Sequence, residues 1–146
     1  KDNWPTVGLN TYSPRAIVVG QQNPSIVYAG THKVGVYKSS DGGDSWNEMN
    51  VGINYPEIRA MLIHPENDNI VYAGTDGGGV YKTVNGGDSW KEINHGLIDK
   101  VIRSMAMDPR NPDVIYAGTW HGVYKTTDGG KNWSADPGYT MSMCEP

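Results

Sequence analysis

The chain has 146 residues, which suits a single domain, and its 19 glycines and 9 prolines, with charged residues at 19%, favour many short strands over long helices. Twelve lysines and arginines against sixteen aspartates and glutamates give a formal net charge of -4, so no general positive field draws in nucleic acid or anionic lipid. Apolar runs of about four residues, such as Ala16 to Val19 and Ala60 to Ile63, exclude a membrane-spanning helix, and Cys144 as the only cysteine excludes an internal disulfide.

Residues 1–10 read as the last strand of a preceding unit. Lys1-Asp2-Asn3-Trp4 aligns with Gly43-Asp44-Ser45-Trp46, and Val7-Gly8-Leu9-Asn10 with Val51-Gly52-Ile53-Asn54. Three units follow, over 11–54, 55–98 and 99–137, and residues 138–146 form an irregular tail with no structural reading. Ile26-Val27-Tyr28-Ala29-Gly30-Thr31 returns as Ile70 to Thr75 and as Val114 to Thr119, with the tyrosines 44 residues apart. Gly35-Val36-Tyr37-Lys38 returns at Gly79 and Gly122, and each unit then reaches a glycine turn closed by Trp46, Trp90 or Trp133. A period of about 40–45 residues with several strand-like runs per unit is the signature of β-propeller blades, and the 3.6-residue rhythm of helical solenoids is missing.

The middle unit predicts four strands, Arg59 to His64, Ile70 to Thr75, Gly79 to Lys82 and Ser89 to Ile93, separated by turns at Pro65 to Asn69, Asp76-Gly77-Gly78 and Asn85-Gly86-Gly87. First strands apolar on both faces suit a position between two neighbouring sheets. The Ala-Gly step of each Tyr-Ala-Gly-Thr block predicts close approach of the next blade. Three four-stranded blades and a lone strand are too few for a closed ring of roughly four to eight blades. The sequence thus predicts an all-β propeller segment belonging to a larger ring, and its non-Met start agrees with a cut or processed chain.

The turn before each tryptophan has its own chemistry. Ser39, Asp41, Gly43 and Trp46 recur as Thr83, Asn85, Gly87 and Trp90, then as Thr126, Asp128, Gly130 and Trp133. The carboxylate or amide accepts backbone N–H groups within the turn, the glycines take φ > 0, and the hydroxyl ties the entering strand. The tryptophan is expected to cover apolar surface beside the turn. This pattern resembles the Asp-box, or BNR, repeat of sialidases, xyloglucanase-type glycoside hydrolases, sortilin-type receptors and photosystem II assembly factors. Asn85 and Asn132 depart from its usual residues. The resemblance implies a propeller with the box as a fold element on the outer rim, and it implies neither catalysis nor a cofactor. A calcium reading of Asp41, Asp44, Asp88 and Asp128 offers each turn too few carboxylates for the roughly six to eight oxygens calcium takes.

Arg15, Arg59 and Arg103 occupy one repeat position, 44 residues apart, before or at the start of each first strand. First strands surround a propeller axis, so the three guanidinium groups are candidates for an anion site at one mouth, as well as for structural ties between blades. The column is similar in number to the three arginines that sialidases place on a substrate carboxylate, but there they form no repeat column, and no motif places the remaining catalytic groups here. Trp120 and His121 are further binding candidates, because only this unit carries a large aromatic in the hairpin after Tyr-Ala-Gly-Thr. His32, His64, His95 and His121 show no ligand spacing, so no metal site is expected. The expected function is a non-catalytic binding or scaffold module, its partner a protein, the remaining blades, a glycan or a small anion, without nucleic acid or membrane insertion. The alternative is a glycoside hydrolase fragment with its catalytic carboxylates elsewhere. Family members are largely extracytoplasmic, so export is expected.

Overall fold

A computed structural model describes residues 12–135, and within them the chain is all-β. The expected strand at 1–10, the tail at 138–146 and Cys144 lie outside the described residues. The first sheet holds β1 (Pro14–Val19), β2 (Val27–Thr31), β3 (Val36–Ser39) and β4 (Asn47–Glu48). The second holds β5 (Ile58–His64), β6 (Asn67–Thr75), β7 (Val80–Thr83) and β8 (Lys91–Glu92). The third holds β9 (Ile102–Asp108), β10 (Asn111–Thr119), β11 (Gly122–Thr126) and β12 (Ser134–Ala135). Strands in each sheet run antiparallel in sequence order.

The 44-residue period is also a register. Tyr28 faces Val18 across the first pair of strands, Tyr72 faces Leu62, and Tyr116 faces Ala106. In the middle sheet the starts of two strands differ from the expectation by two or three residues, and the other differing boundaries by one. Strand β6 starts at Asn67 rather than Ile70, because Asn67 pairs with His64 and His64 Nδ1 accepts the Glu66 N–H at 3.0 Å, which tightens the turn. Strand β8 is confined to Lys91–Glu92, because the Ser89 N–H is taken by Asn85 Oδ1.

Most of the apolar core lies in the seams between sheets. Tyr28 and Val36 of the first sheet pack with Ile58, Met61, Val71, Ala73, Tyr81 and Trp90 of the second. Tyr72 and Val80 of the second pack with Ile102, Ile115, Ala117, Tyr124 and Trp133 of the third. Burying a side chain of this size contributes roughly 1.5–3 kcal/mol, so the seams hold the sheets together. The small residues in the repeated block make this approach possible. A Cβ added at Gly30 would lie 2.3 Å from Ile58 Cγ2, and one at Gly74 would lie 2.6 Å from Ile102 Cγ2. Gly30 and Gly74 therefore each receive a branched side chain from the first strand of the next sheet, where the sequence led to an expectation of a backbone or an aromatic ring of the next blade.

Candidate functional site

The three tryptophan turns share one hydrogen-bond design. The first hydroxyl of each bridges the turn: Ser39 Oγ, Thr83 Oγ1 and Thr126 Oγ1 accept the N–H of Gly43, Gly87 and Gly130 at 2.8, 2.9 and 2.9 Å. Each donates in turn to Asp41, Asn85 or Asp128 at 2.8 Å. Paired glycines follow with positive φ, Gly42 at 73° and Gly43 at 99° in the first turn. A side-chain bond then spans four residues, and the two asparagines keep it by reversing or replacing the donor. Ser45 Oγ–H donates to Asp41 at 2.6 Å, Asn85 Nδ2–H donates to Ser89 Oγ at 2.9 Å, and Asn132 Nδ2–H donates to Asp128 at 2.9 Å.

These bonds hold the two carboxylates ionised. The Asp41 carboxyl is pulled down to about 2, first by the Ser45 hydroxyl, then by the Ser45 N–H and Ser39. The Asp128 carboxyl is likewise pulled down to about 2, first by the Asn132 side chain and then by Thr126.

The tryptophans reach further than their own turns. Trp90 Nε1–H donates to the Met49 carbonyl at 2.9 Å, and Trp133 Nε1–H to the Ile93 carbonyl at 2.8 Å, each on the preceding sheet. Their backbone N–H groups also cross the seam, to Val51 and His95 carbonyls at 2.9 Å. The expected cover beside the turn is thus a clasp between sheets. Trp46, with no preceding sheet among the described residues, donates to its own Gly43 carbonyl at 3.1 Å.

Two of the three arginines in the column meet the hairpin residue 17 positions later, at the same end of their sheets. Arg59 forms an ion pair with Asp76 at 3.0 Å, with both side chains about a quarter exposed. Arg103 lies over the exposed Trp120 ring, 4.6 Å from its centroid. In the first sheet Arg15 is exposed, and the corresponding residue is His32, which with Tyr12, Ser13, Lys33 and Val34 lines a cavity of about 320 Å³. His32 Nδ1 and Arg59 Nε are buried and have no hydrogen-bond partner among the described residues. The structure therefore brings Arg59 and Arg103 each to its own hairpin, Arg59 to Asp76 and Arg103 to Trp120.

His121 is fixed beside this surface. Its Nδ1 lies 2.8 Å from Asp99 Oδ2, which also accepts the His121 N–H at 2.9 Å. Burial works against ionising Asp99, yet hydrogen bonds from the Val101 N–H and from His121 keep its carboxyl below the usual value.

Two side-chain sets that tie the blades together are additions to the sequence reading. Asn50 and Asn94, also 44 residues apart, accept the N–H of Val36 and Val80 at 2.7 and 2.8 Å and donate to the Val34 and Gly78 carbonyls. Asp68 crosses the first seam, where Oδ1 accepts the N–H of Gln21 and Gln22 and Oδ2 that of Asn23, at 2.7–3.0 Å. Pro24 and Pro112 stand at its repeat position, so the break in the repeat was the available signal. Among the described residues, no group of three or more His, Cys, Asp or Glu side chains is placed to hold a metal ion, and no helix is long and apolar enough to cross a membrane.

The sequence matches the Sortilin-Vps10 family (Sortilin, neurotensin receptor 3) over residues 34–144. The chain belongs to the Sortilin-Vps10 family. Its sheets are accordingly blades of a BNR-type β-propeller. Solved structures agree with this fold. An ancestral GH74 enzyme is 27% identical with a TM-score of 0.69 over 84% of this chain and 18% of its own. The GH74 xyloglucanase from Xanthomonas campestris is 17% identical, TM-score 0.71, over 90% of this chain and 22% of its own. YCF48 bound to D1 peptide is 19% identical, TM-score 0.68, over 86% of this chain and 41% of its own. This Sortilin-Vps10 chain thus spans between 18% and 41% of the length of these relatives. A comparison with curated proteins finds no match.

Proposed function

We propose that this chain supplies a non-catalytic binding surface within a BNR-type propeller, and that its ligand is a protein or glycan carrying an anionic group. One observation carries the reading. At a single repeat position Arg59 meets the Asp76 carboxylate, Arg103 meets the exposed Trp120 ring, and Arg15 is exposed with Pro14, Ala16 and Ile17 around it, while the side chains that build the blades repeat. A repeated frame with one varied position is how a propeller presents a specific surface without altering its fold. Arg15 and Arg103 supply guanidinium forks for a carboxylate, sulfate or phosphate, and Trp120 with His121 supplies a flat face for a sugar ring or an apolar side chain. The aspartates Asp41, Asp68, Asp76, Asp99 and Asp128 are already engaged within the blades, which favours binding over acid–base chemistry.

Two structural relatives support the partner classes, YCF48 bound to D1 peptide and the GH74 xyloglucanase from Xanthomonas campestris. Sortilin-Vps10 membership supports an extracytoplasmic setting. Isothermal titration of N-acetylneuraminic acid, sulfate and xyloglucan oligosaccharides tests the surface. Arg15→Lys, Arg103→Lys and Trp120→Ala should each weaken binding at least tenfold while thermal melts stay within a few degrees. Unchanged binding with lowered melts would make the arginines structural ties. A hydrolase reading has the 27% identity to the ancestral GH74 enzyme in its favour, and release of reducing sugar from xyloglucan would support it instead.

A further inference from the structure

The hairpin after each second strand carries a different residue at one register position: His32, Asp76 and Trp120. The backbone treats the three alike, because their N–H groups donate to the carbonyls of Ser13, Glu57 and Val101 at 3.1, 3.0 and 3.2 Å. The side chain at this position therefore varies without disturbing the sheet beneath it. In the second sheet, whose neighbours on both sides are described, it is a carboxylate. Asp76 Oδ2 accepts from Arg59 Nη2 at 3.0 Å, and 29% of the Arg59 side chain stays exposed.

Asp76 has little freedom to leave this place. Thr75 Oγ1 accepts the Gly78 N–H and donates to the Gly79 carbonyl, both at 2.8 Å, which closes the hairpin. A Cβ added at Gly77 or Gly78 would run into the Tyr55 side chain, so the hairpin is packed as well as bonded. Asp76 also forms a β-bridge with Val101, just before β9. The pair itself is sparing. It uses a single N–H of the guanidinium, and Arg59 Nε is buried with no partner among the described residues, whereas an arginine fork offers two parallel bonds to a carboxylate or phosphate. An ion pair this open contributes little to stability, so the main effect of Asp76 is to occupy the guanidinium.

We infer that Asp76 is a specificity-determining residue of the arginine column: it stands in for an anionic ligand at Arg59, excludes one there, and so directs the ligand's anionic group to arginines without such a partner. The inference rests on the anion-binding reading of the column proposed above. Arg103 shows the contrast, because Trp120, at the position of Asp76, gives its guanidinium an aromatic ring 4.6 Å away and no negative charge. An anion approaching Arg59 meets a fixed like charge instead. A built-in repulsive group is one of the two routes to discrimination between ligands, the other being better contacts to the right one. One side chain per hairpin thus decides which blades of a uniform arginine column are open to an anion.

The test follows the arginine side-chain N–H signals of the intact chain by heteronuclear NMR while sulfate or acetate is added, acetate being a free copy of the Asp76 carboxylate. In wild type the Arg103 signal should shift and the Arg59 signal should stay still. In Asp76→Ala the Arg59 signal should respond to both anions, with affinity at that residue raised at least tenfold, and Arg59→Lys in the same chain should abolish the gain. Acetate should also raise the melting temperature of Asp76→Ala more than chloride of equal ionic strength does, and leave wild type unchanged. Asp76→Asn keeps the shape without the charge and repeats the test should the alanine variant fail to fold. An Arg59 signal that responds equally in wild type and variants, or in none of them, would overturn the inference. A silent Arg103 would count against the binding reading alone, and the Arg59 signals decide this one.

Discussion

Trp90 in the second sheet donates its indole N–H to the carbonyl of Met49 in the first, at 2.9 Å, while its ring packs among Tyr28, Val36 and Met61. A residue defined by its place in a turn therefore spends its side chain on the seam. The measurable consequence is a large energetic asymmetry between volume and bond. Trp90→Ala should cost about 3–5 kcal/mol as a cavity in a packed seam. Trp90→Phe keeps most of the apolar contact and should cost closer to ~1 kcal/mol, the worth of one hydrogen bond with some loss of packing. Urea denaturation of both variants checks the ordering.

Thr126 makes the complementary case, since its value lies in polar atoms. Its buried hydroxyl accepts the N–H of Gly130 and donates to Asp128. Thr126→Val preserves shape but leaves the Gly130 N–H without its acceptor, so a loss of about 1–3 kcal/mol is expected. Thr126→Ser should recover most of it, as Ser39 serves the first turn. Equal stability of the valine variant and wild type would count against this role.

Acid should distinguish the first and third turns from the second. Asp41 and Asp128 have folded-state values near 2, below the ordinary carboxyl value of about 3.9. Their contribution is therefore fully present above about pH 4 and is lost as pH falls through about 2, where the folded forms take up protons. Asn85 has no proton to gain, so the second turn lacks this dependence. Asp41→Asn with Asp128→Asn should flatten the stability curve between pH 4 and 2, and both carboxylates are exposed enough for salt to reduce the effect. Guanidine-free thermal melts across that range, at two salt concentrations, read it directly.

Fold class was legible because the repeat writes each constraint several times. A single Ile-Val-Tyr-Ala-Gly-Thr is an ordinary strand, but three copies at Tyr28, Tyr72 and Tyr116 fix strand and register together. The exact ends of β6 and β8 were not legible, since they depend on His64 and Asn85 capturing particular N–H groups. The partners of the arginines were hidden for a related reason. The column Arg15, Arg59 and Arg103 is visible in sequence, whereas the fact that antiparallel pairing brings residue 76 to Arg59 and residue 120 to Arg103 appears only once the strands are paired. Asp68 shows the opposite limit, because its bonds to residues 21–23 join turns of different sheets and no local rule links them.

The Trp90 and Trp133 clasps make the second and third sheets each lean on the one before, so the described sheets should unfold as a short line of coupled units. The second sheet is gripped on both sides, and its amides at Val71 to Ala73 should be the slowest to exchange with deuterium. Release of the first or the third sheet strips one grip from the second, so opening of either seam should speed exchange at those amides. A strengthened outer seam would then slow exchange a full sheet away, at residues it never touches.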